Sequence, residues 1–207
     1  MIKLGGSMAV SAVLPAWLEV LSRSGGHPRV IVPGGGPFAD QVRQVQKKRP
    51  FPDEAAHRMA VLAMEQYGLM LGALAPGFRP AATLDEIRAV QGQGHVPLWM
   101  AAKMTAGRGD IPGRWQVTSD SLAAWLAVEA NAELLLLVKS AEPPDAGAGG
   151  SVPVADLQRA GLVDESLASF IRGRDFAVRC VGPRGHRAMA DALEGGPPPG
   201  VPVSADG

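Results

Sequence analysis

Short apolar runs alternate along the chain with longer stretches in which apolar residues recur every three or four positions, and glycine and proline mark the changes. That pattern predicts an α/β domain with a mainly parallel central sheet. Strands are expected at residues 1–4, 29–33, 96–100, 134–139, 176–181 and 201–204. The middle runs show no polar–apolar alternation, as suits strands covered on both faces. Helical periodicity covers about 10–23, 38–48, 53–74, 83–91, 119–130, 153–160, 164–172 and 185–194. Capping residues support several of these: Asp53 before Glu54-Ala55-Ala56, Thr83 with Glu86 three residues on, and Ser119 ahead of the run 122–128. Within 53–74, Ala56, Ala60, Ala63 and Met64 share a face, with Met59, Leu62, Leu69 and Met70 beside it. Such a stripe suits a core or a contact between subunits, and a homo-oligomer is expected. Residues 142–150 and 195–200, rich in glycine and proline, read as flexible loops within one domain spanning 1–207.

Composition narrows the function classes. At 207 residues, with 46% hydrophobic and 19% charged, the chain is long enough for one substantial core and is neither disordered nor fibrous. Twenty basic and twenty acidic residues cancel, so no charge-driven partner, nucleic acid or membrane surface, is expected. The densest basic patch, Lys47-Lys48-Arg49, reads as a solvated helix end. A single cysteine, Cys180, excludes an intramolecular disulfide and a multi-cysteine metal site; its apolar surroundings suit a buried thiol. His27, His95 and His186 form no spaced metal set, so no protein metal ligands are expected. The longest apolar run, 134–138, is too short for a bilayer, and the opening residues lack a signal-peptide pattern. A cytoplasmic protein is the expectation. Lysine is scarce against arginine, which draws attention to each of Lys3, Lys47, Lys48, Lys103 and Lys139.

Two glycine clusters each follow a predicted strand and precede a predicted helix: Lys3-Leu4-Gly5-Gly6-Ser7 and Pro33-Gly34-Gly35-Gly36-Pro37. Backbone amides at such turns form sites for phosphate oxygens, although a tight turn without a ligand reads the same way. Neither cluster matches G-x-G-x-x-G or G-x-x-x-x-G-K-[ST]. A third segment, Trp115-Gln116-Val117-Thr118-Ser119-Asp120-Ser121, reads by itself as helix capping by Ser119 or Asp120.

Together, K-x-G-G-S at the start, G-G-G about thirty residues on and T-S-D-x-L-A in the second half resemble the amino acid kinase superfamily, along essentially the whole chain. The resemblance implies a three-layer αβα sandwich, ATP and magnesium as donor and an acceptor ending in a carboxylate or phosphate, with an acceptor-binding half at about 1–115 and a nucleotide-binding half at about 116–207. Lys3 would neutralise the transferring phosphoryl group, Gly5, Gly6 and Ser7 would hold phosphate oxygens with Thr118 and Ser119, and Asp120 would orient the cations. Gly34, Gly35 and Gly36 would hold the acceptor. A T-D-V-D-G-V-Y-like segment is replaced by Val138-Lys139-Ser140-Ala141, and Lys139 either sits near ATP phosphates or solvates a strand end. No lysine follows it, so Arg172 is the candidate for the family's second cation.

Subfamily signatures narrow the acceptor to a small phosphorylated molecule. Isopentenyl phosphate kinases carry G-G-G-S-F-G-H where this chain has Asp40, and the G-G-G-N and R-G of uridylate kinases are missing. The segments 33–39, His57 with Met59 and Ala60, and 115–121 look like the kinases of 5-(aminomethyl)furan-3-yl methyl phosphate in methanofuran and methylofuran synthesis. A cationic aminomethyl group would pair with Asp40, Asp53 or Glu54, a furan ring would pack on Phe38 or Trp115, and His57 would meet the acceptor phosphate. The competing reading is a non-catalytic, nucleotide-binding or regulatory relative, or a kinase of another phosphate monoester.

Overall fold

A computed structural model describes residues 1–146 and 150–205. Its centre is one eight-stranded sheet in the order β3-β4-β2-β1-β5-β7-β8-β6. The strands are β1 Ile2–Leu4, β2 Ile31–Pro33, β3 Phe78–Ala81, β4 Val96–Trp99, β5 Leu134–Val138, β6 Val152–Pro153, β7 Ala177–Val181 and β8 Val201–Ser204. Every pairing is parallel except β7 with β8. The helices are α1 Leu14–Leu21, α2 Gly36–Lys48, α3 Asp53–Leu74, α4 Leu84–Gly92, α5 Ala102–Thr105, α6 Ser119–Glu129, α7 Val154–Arg159, α8 Leu167–Ile171 and α9 His186–Leu193.

Two hydrophobic clusters, one on each face of the sheet, explain the unbroken apolar runs. Leu135 and Leu137 point into a cluster with Leu122, Trp125 and Leu126 of α6, whereas Leu136 and Val138 point into one with Trp17 and Leu21 of α1 and Leu71 of α3. The same alternation fixes the site. Ile2 and Leu4 belong to the α1 face, so Lys3 between them points to the α6 face; Lys139, one past Val138 on the neighbouring strand, does likewise.

Departures from the expected elements have local causes. β3 escaped notice because its two central residues, Arg79 and Pro80, are exposed and proline sits at a sheet edge. The helix expected at 10–23 is divided: Gly6–Val10 forms a 3₁₀ turn, and α1 begins with Pro15 in its first turn. Pro52 and Thr118, not Asp53 and Ser119, occupy the N-cap positions of α3 and α6. The Thr83 cap is formed, Oγ1 accepting from the Glu86 amide at 3.1 Å. Residues 195–200 are tied down, since the Gly196 amide donates to the Asp191 carbonyl at 2.9 Å and Arg179 donates to the carbonyls of Pro199 and Gly200. Of the other expected loop, residues 147–149 lie outside the described residues.

On α3, Ala56, Ala63 and Met64 are buried and Ala60 is half-buried, while Met59, Leu62, Leu69 and Leu74 are exposed. Cys180 is buried on β7, and burial pushes its thiol up to about 11. Among the described residues no helix is long and apolar enough to cross a membrane.

Candidate active site

The two lysines that the sheet aims toward α6 meet one carboxylate there. Asp120, in the first turn of α6, places Oδ1 2.9 Å from Lys3 Nζ and 2.6 Å from Lys139 Nζ. All three side chains are about 5–6% exposed. Burial pushes the Asp120 carboxyl up, but the charges of Lys139 and Lys3 and their hydrogen bonds override it and hold it at about 2. Burial lowers Lys139 to about 8, against the opposing pull of Asp120 and with the like charge of Lys3 adding to the fall. One carboxylate cannot balance two buried ammonium groups. The cluster carries a residual positive charge at the wall of a cavity of about 480 Å³, within the range of ligand pockets.

Both glycine turns reach this cavity, and they do so by packing on each other. A Cβ at Gly6 would fall on the Gly36 backbone, and one at Gly34 would fall on Gly6. Gly36 has φ +55°, a left-handed conformation that favours glycine. The turn glycines divide into two roles. The Gly5 amide donates to the Val138 carbonyl and the Gly34 amide to the Leu4 carbonyl, both at 2.9 Å, so neither is free for a phosphate oxygen, and neither residue lines the cavity. Gly6, Ser7, Gly35 and Gly36 do line it, at helix starts whose first amides lack intrahelical partners. The Ser7 and Ser140 hydroxyls meet across the turn at 2.7 Å.

The opposite wall comes from α2, α3 and the segment before α6. Asp40 lines the cavity, but its carboxylate accepts from Arg43 Nη1 at 2.8 Å; Arg43, missed in the sequence, also lines it and lies 4.6 Å over the Trp115 ring. The Trp115 indole donates to Gln46 at 2.6 Å, and Gln46 donates to Asp53 at 2.8 Å. Phe38 does not line the cavity. It packs half-buried against the α1-side core, because its position on α2 faces the sheet. Asp53 and Glu54 are likewise outside the lining. His57 is buried in the wall; burial lowers its basicity, and a hydrogen bond to the Val117 backbone partly restores it.

Thr118 and Ser119 line the cavity with Asp120. Their geometry is set by a residue that sequence reasoning missed. Asp164 accepts from the Thr118 amide and hydroxyl at 3.0 and 2.9 Å, and from the Ser121 amide and hydroxyl at 3.0 and 2.5 Å. A carboxylate from a distant loop thus does the work of an N-cap for α6. Arg172 is not brought to the cavity: it is exposed at the C-terminal end of α8, while Lys139 supplies the second cation. Among the described residues no three His, Cys, Asp or Glu side chains gather as a metal site.

A mostly parallel αβα sheet that opens two glycine turns and a first-strand lysine onto one cleft is the architecture of the amino acid kinases, and the chain has that fold. It resembles the uridylate kinase of Archaeoglobus fulgidus with a TM-score of 0.68 at 13% identity, covering 98% of this chain and 99% of that one. The UMP kinase of Bacillus anthracis superposes with a TM-score of 0.69 at 16% identity over 100% and 95% of the two chains, and that of Ureaplasma parvum with 0.68 at 17% over 98% and 97%. In sequence, the chain is 23% identical over 202 residues to [5-(aminomethyl)furan-3-yl]methyl phosphate kinase of Methanocaldococcus jannaschii, covering 94% of this chain and 92% of the relative. No family model matches the chain.

Proposed function

We propose that this protein is an ATP-dependent kinase that extends a phosphate-bearing small molecule to its diphosphate, with [5-(aminomethyl)furan-3-yl]methyl phosphate as the acceptor. The observation that carries the reading is the excess positive charge of Lys3 and Lys139 around one Asp120 oxygen, buried where both glycine turns open. Phosphoryl transfer asks for positioning and charge neutralisation and requires no covalent nucleophile. An oxygen of the acceptor phosphate attacks the γ-phosphorus of ATP, and the bond to the β,γ-bridging oxygen breaks, leaving its electron pair on ADP. Lys3 and Lys139 offset charge on the moving group, Asp120 fixes both, and the amides of Gly6 and Ser7 with the hydroxyls of Ser7 and Ser140 suit the nucleotide phosphates. Gly35 and Gly36 with the α2 and α3 wall receive the acceptor.

Magnesium would be held with the nucleotide beside the cavity-lining Asp120, Thr118 and Ser119, and would supply further neutralisation of phosphate charge. The acceptor assignment is supported by the Methanocaldococcus relative, which aligns end to end. On this reading the single domain works in the cytoplasm without nucleic acid or membrane. Two copies meet through the exposed Met59, Leu62 and Leu69 of α3. Purified protein with ATP and magnesium is expected to convert the furan phosphate at a kcat/KM at least about tenfold above that for uridylate or isopentenyl phosphate. Equal use of either competitor removes the furan assignment, and inactivity on every phosphate monoester favours a non-catalytic relative.

A further inference from the structure

A second cavity, of about 390 Å³, is lined by the loop before α6, by α6, and by α8 with the turn that follows it, and it shares Val117 with the first. Its volume suits a small ligand. Pro112, Val117, Trp125, Val128 and Phe170 give it an apolar side, while Arg114 and Arg174 bring guanidinium groups from two separate loops.

Acidic groups line it too, but they are engaged. Arg108 donates through Nε and Nη2 to the two Asp110 oxygens, at 2.9 Å each, and its Nη2 lies 3.7 Å from Glu129 Oε1. The Trp125 indole also donates to Asp110, at 2.9 Å. Arg114 and Arg174 have no such partners: among the described residues neither guanidinium makes a hydrogen bond or ion pair.

Ser166 adds a buried donor. It lines the cavity at 8% exposure, and among the described residues its hydroxyl makes no hydrogen bond. The side-chain atoms that are both unpartnered and sealed from solvent are His57 Nε2, the Tyr67 hydroxyl, His95 Nδ1 and His186 Nδ1, so the Ser166 hydroxyl keeps surface that an entering group can touch. Two unpaired guanidinium forks, one open hydroxyl and an apolar side describe a site for an anion carried on an apolar body. Phosphate suits it better than carboxylate, because three terminal oxygens serve both forks and still leave an acceptor for the hydroxyl.

The position of the cavity gives such a ligand a consequence. Arg114 lines this cavity, and Trp115, next in the chain, lines the first. The Ser166 amide donates to the Gln116 carbonyl at 3.2 Å and to Asp164 Oδ1 at 3.1 Å, and Asp164 in turn clamps Thr118 and Ser121 around Asp120.

We propose that this cavity is an effector site for a small phosphorylated molecule with an aromatic body, its phosphate held by Arg114, Arg174 and the Ser166 hydroxyl and its ring packed on Phe170, and that filling it changes acceptor affinity through residues 114–118. Binding stands apart from the transfer reading above; only the effect on the acceptor rests on it.

The test is calorimetry on the full chain with phenyl phosphate as the probe and benzoate and phenol as its counterparts. The native protein is expected to bind phenyl phosphate at least about tenfold more tightly than either. Arg114→Ala and Arg174→Ala, both at exposed positions, are each expected to weaken it at least about tenfold, with melting temperatures confirming that the variants are folded. Binding that survives both variants lies in the first cavity or elsewhere and overturns the proposal, as does equal binding of benzoate or phenol. Acceptor KM is then measured with and without phenyl phosphate. A shift of at least about fivefold in the native protein that disappears in Arg174→Ala supports the coupling. A shift that persists in Arg174→Ala is competition at the first cavity and overturns it, and so does no shift at all. Loss of probe binding in both arginine variants without any transfer from ATP keeps the site and removes the kinase reading; the coupling is then read from calorimetric binding of the furan phosphate to the same two proteins.

Discussion

Replacing Asp120 with asparagine takes the negative charge from between two buried ammonium groups. Lys139 and Lys3 lie 2.6 and 2.9 Å from the same oxygen. Removing one partner of a buried ion pair costs about 3–5 kcal/mol, because the other charge stays buried without compensation. Proton release gives the variant a partial escape. Lys139 titrates near 8, lowered chiefly by burial and supported by Asp120. Without the carboxylate its pKa falls further, while the unfolded value stays near about 10.4. A lysine with a depressed folded pKa binds fewer protons folded than unfolded between the two values, so stability rises with pH across that interval. For the native protein this rise begins near pH 8, and for Asp120→Asn it begins lower. The stability gap is therefore expected to be widest, about 3–5 kcal/mol, near pH 6, to narrow up to about pH 8, and to level off above it. Urea denaturation of both proteins across that range measures the gap directly. A gap below about 1 kcal/mol near pH 6 would mean that the two lysines do not depend on the Asp120 charge. A gap that is flat with pH would refute the coupling to Lys139.

Three further outcomes follow from the geometry. Lys3→Ala and Lys139→Ala are each expected to lower ATP-dependent turnover by about 10² or more at saturating substrate, with Arg172→Ala within about threefold of native; steady-state kinetics decide, and the reverse ranking would restore Arg172 to the mechanism. Asp164→Ala leaves the amides and hydroxyls of Thr118 and Ser121 without their acceptor, so melting should show a loss of about 1–3 kcal/mol, and turnover should fall because Asp120 lies between them. Leu62→Glu with Leu69→Glu should convert a dimer to a monomer by light scattering; an unchanged mass would place the subunit contact elsewhere.

The parts of this structure legible in the sequence are those governed by local pattern. β5, apolar at every position, announced itself, whereas β3 did not, because only Phe78 and Ala81 at its ends are buried. Lys3 and Asp120 stood out through their motifs, but Lys139 was one of two readings until the register of β1 with β5 set it beside Lys3 on the α6 face. Phe38 was expected at the acceptor, and Arg43 was not singled out at all. Both lie on α2, and only the packed helix shows that Phe38 turns to the core while Arg43 faces the cavity. Asp164 left no usable signal, since its partners Thr118 and Ser121 lie 46 and 43 residues away.

Residues 115–121 connect these observations. Trp115 is bonded to Gln46 of α2, the Val117 backbone holds His57 of α3, Thr118 and Ser121 are clamped by Asp164, and Asp120 gathers the lysines of β1 and β5. The α2–α3 wall and the charge cluster are thus both tied to one short run of backbone. In-line transfer tolerates displacements of well under about 1 Å before rate is lost. With only two residues between Val117 and Asp120, a shift of the acceptor wall is transmitted to the lysine pair through covalent geometry. Asp164 limits that shift at the same place. The carboxylate that sequence reasoning overlooked therefore bears on both walls of the cavity while lining neither.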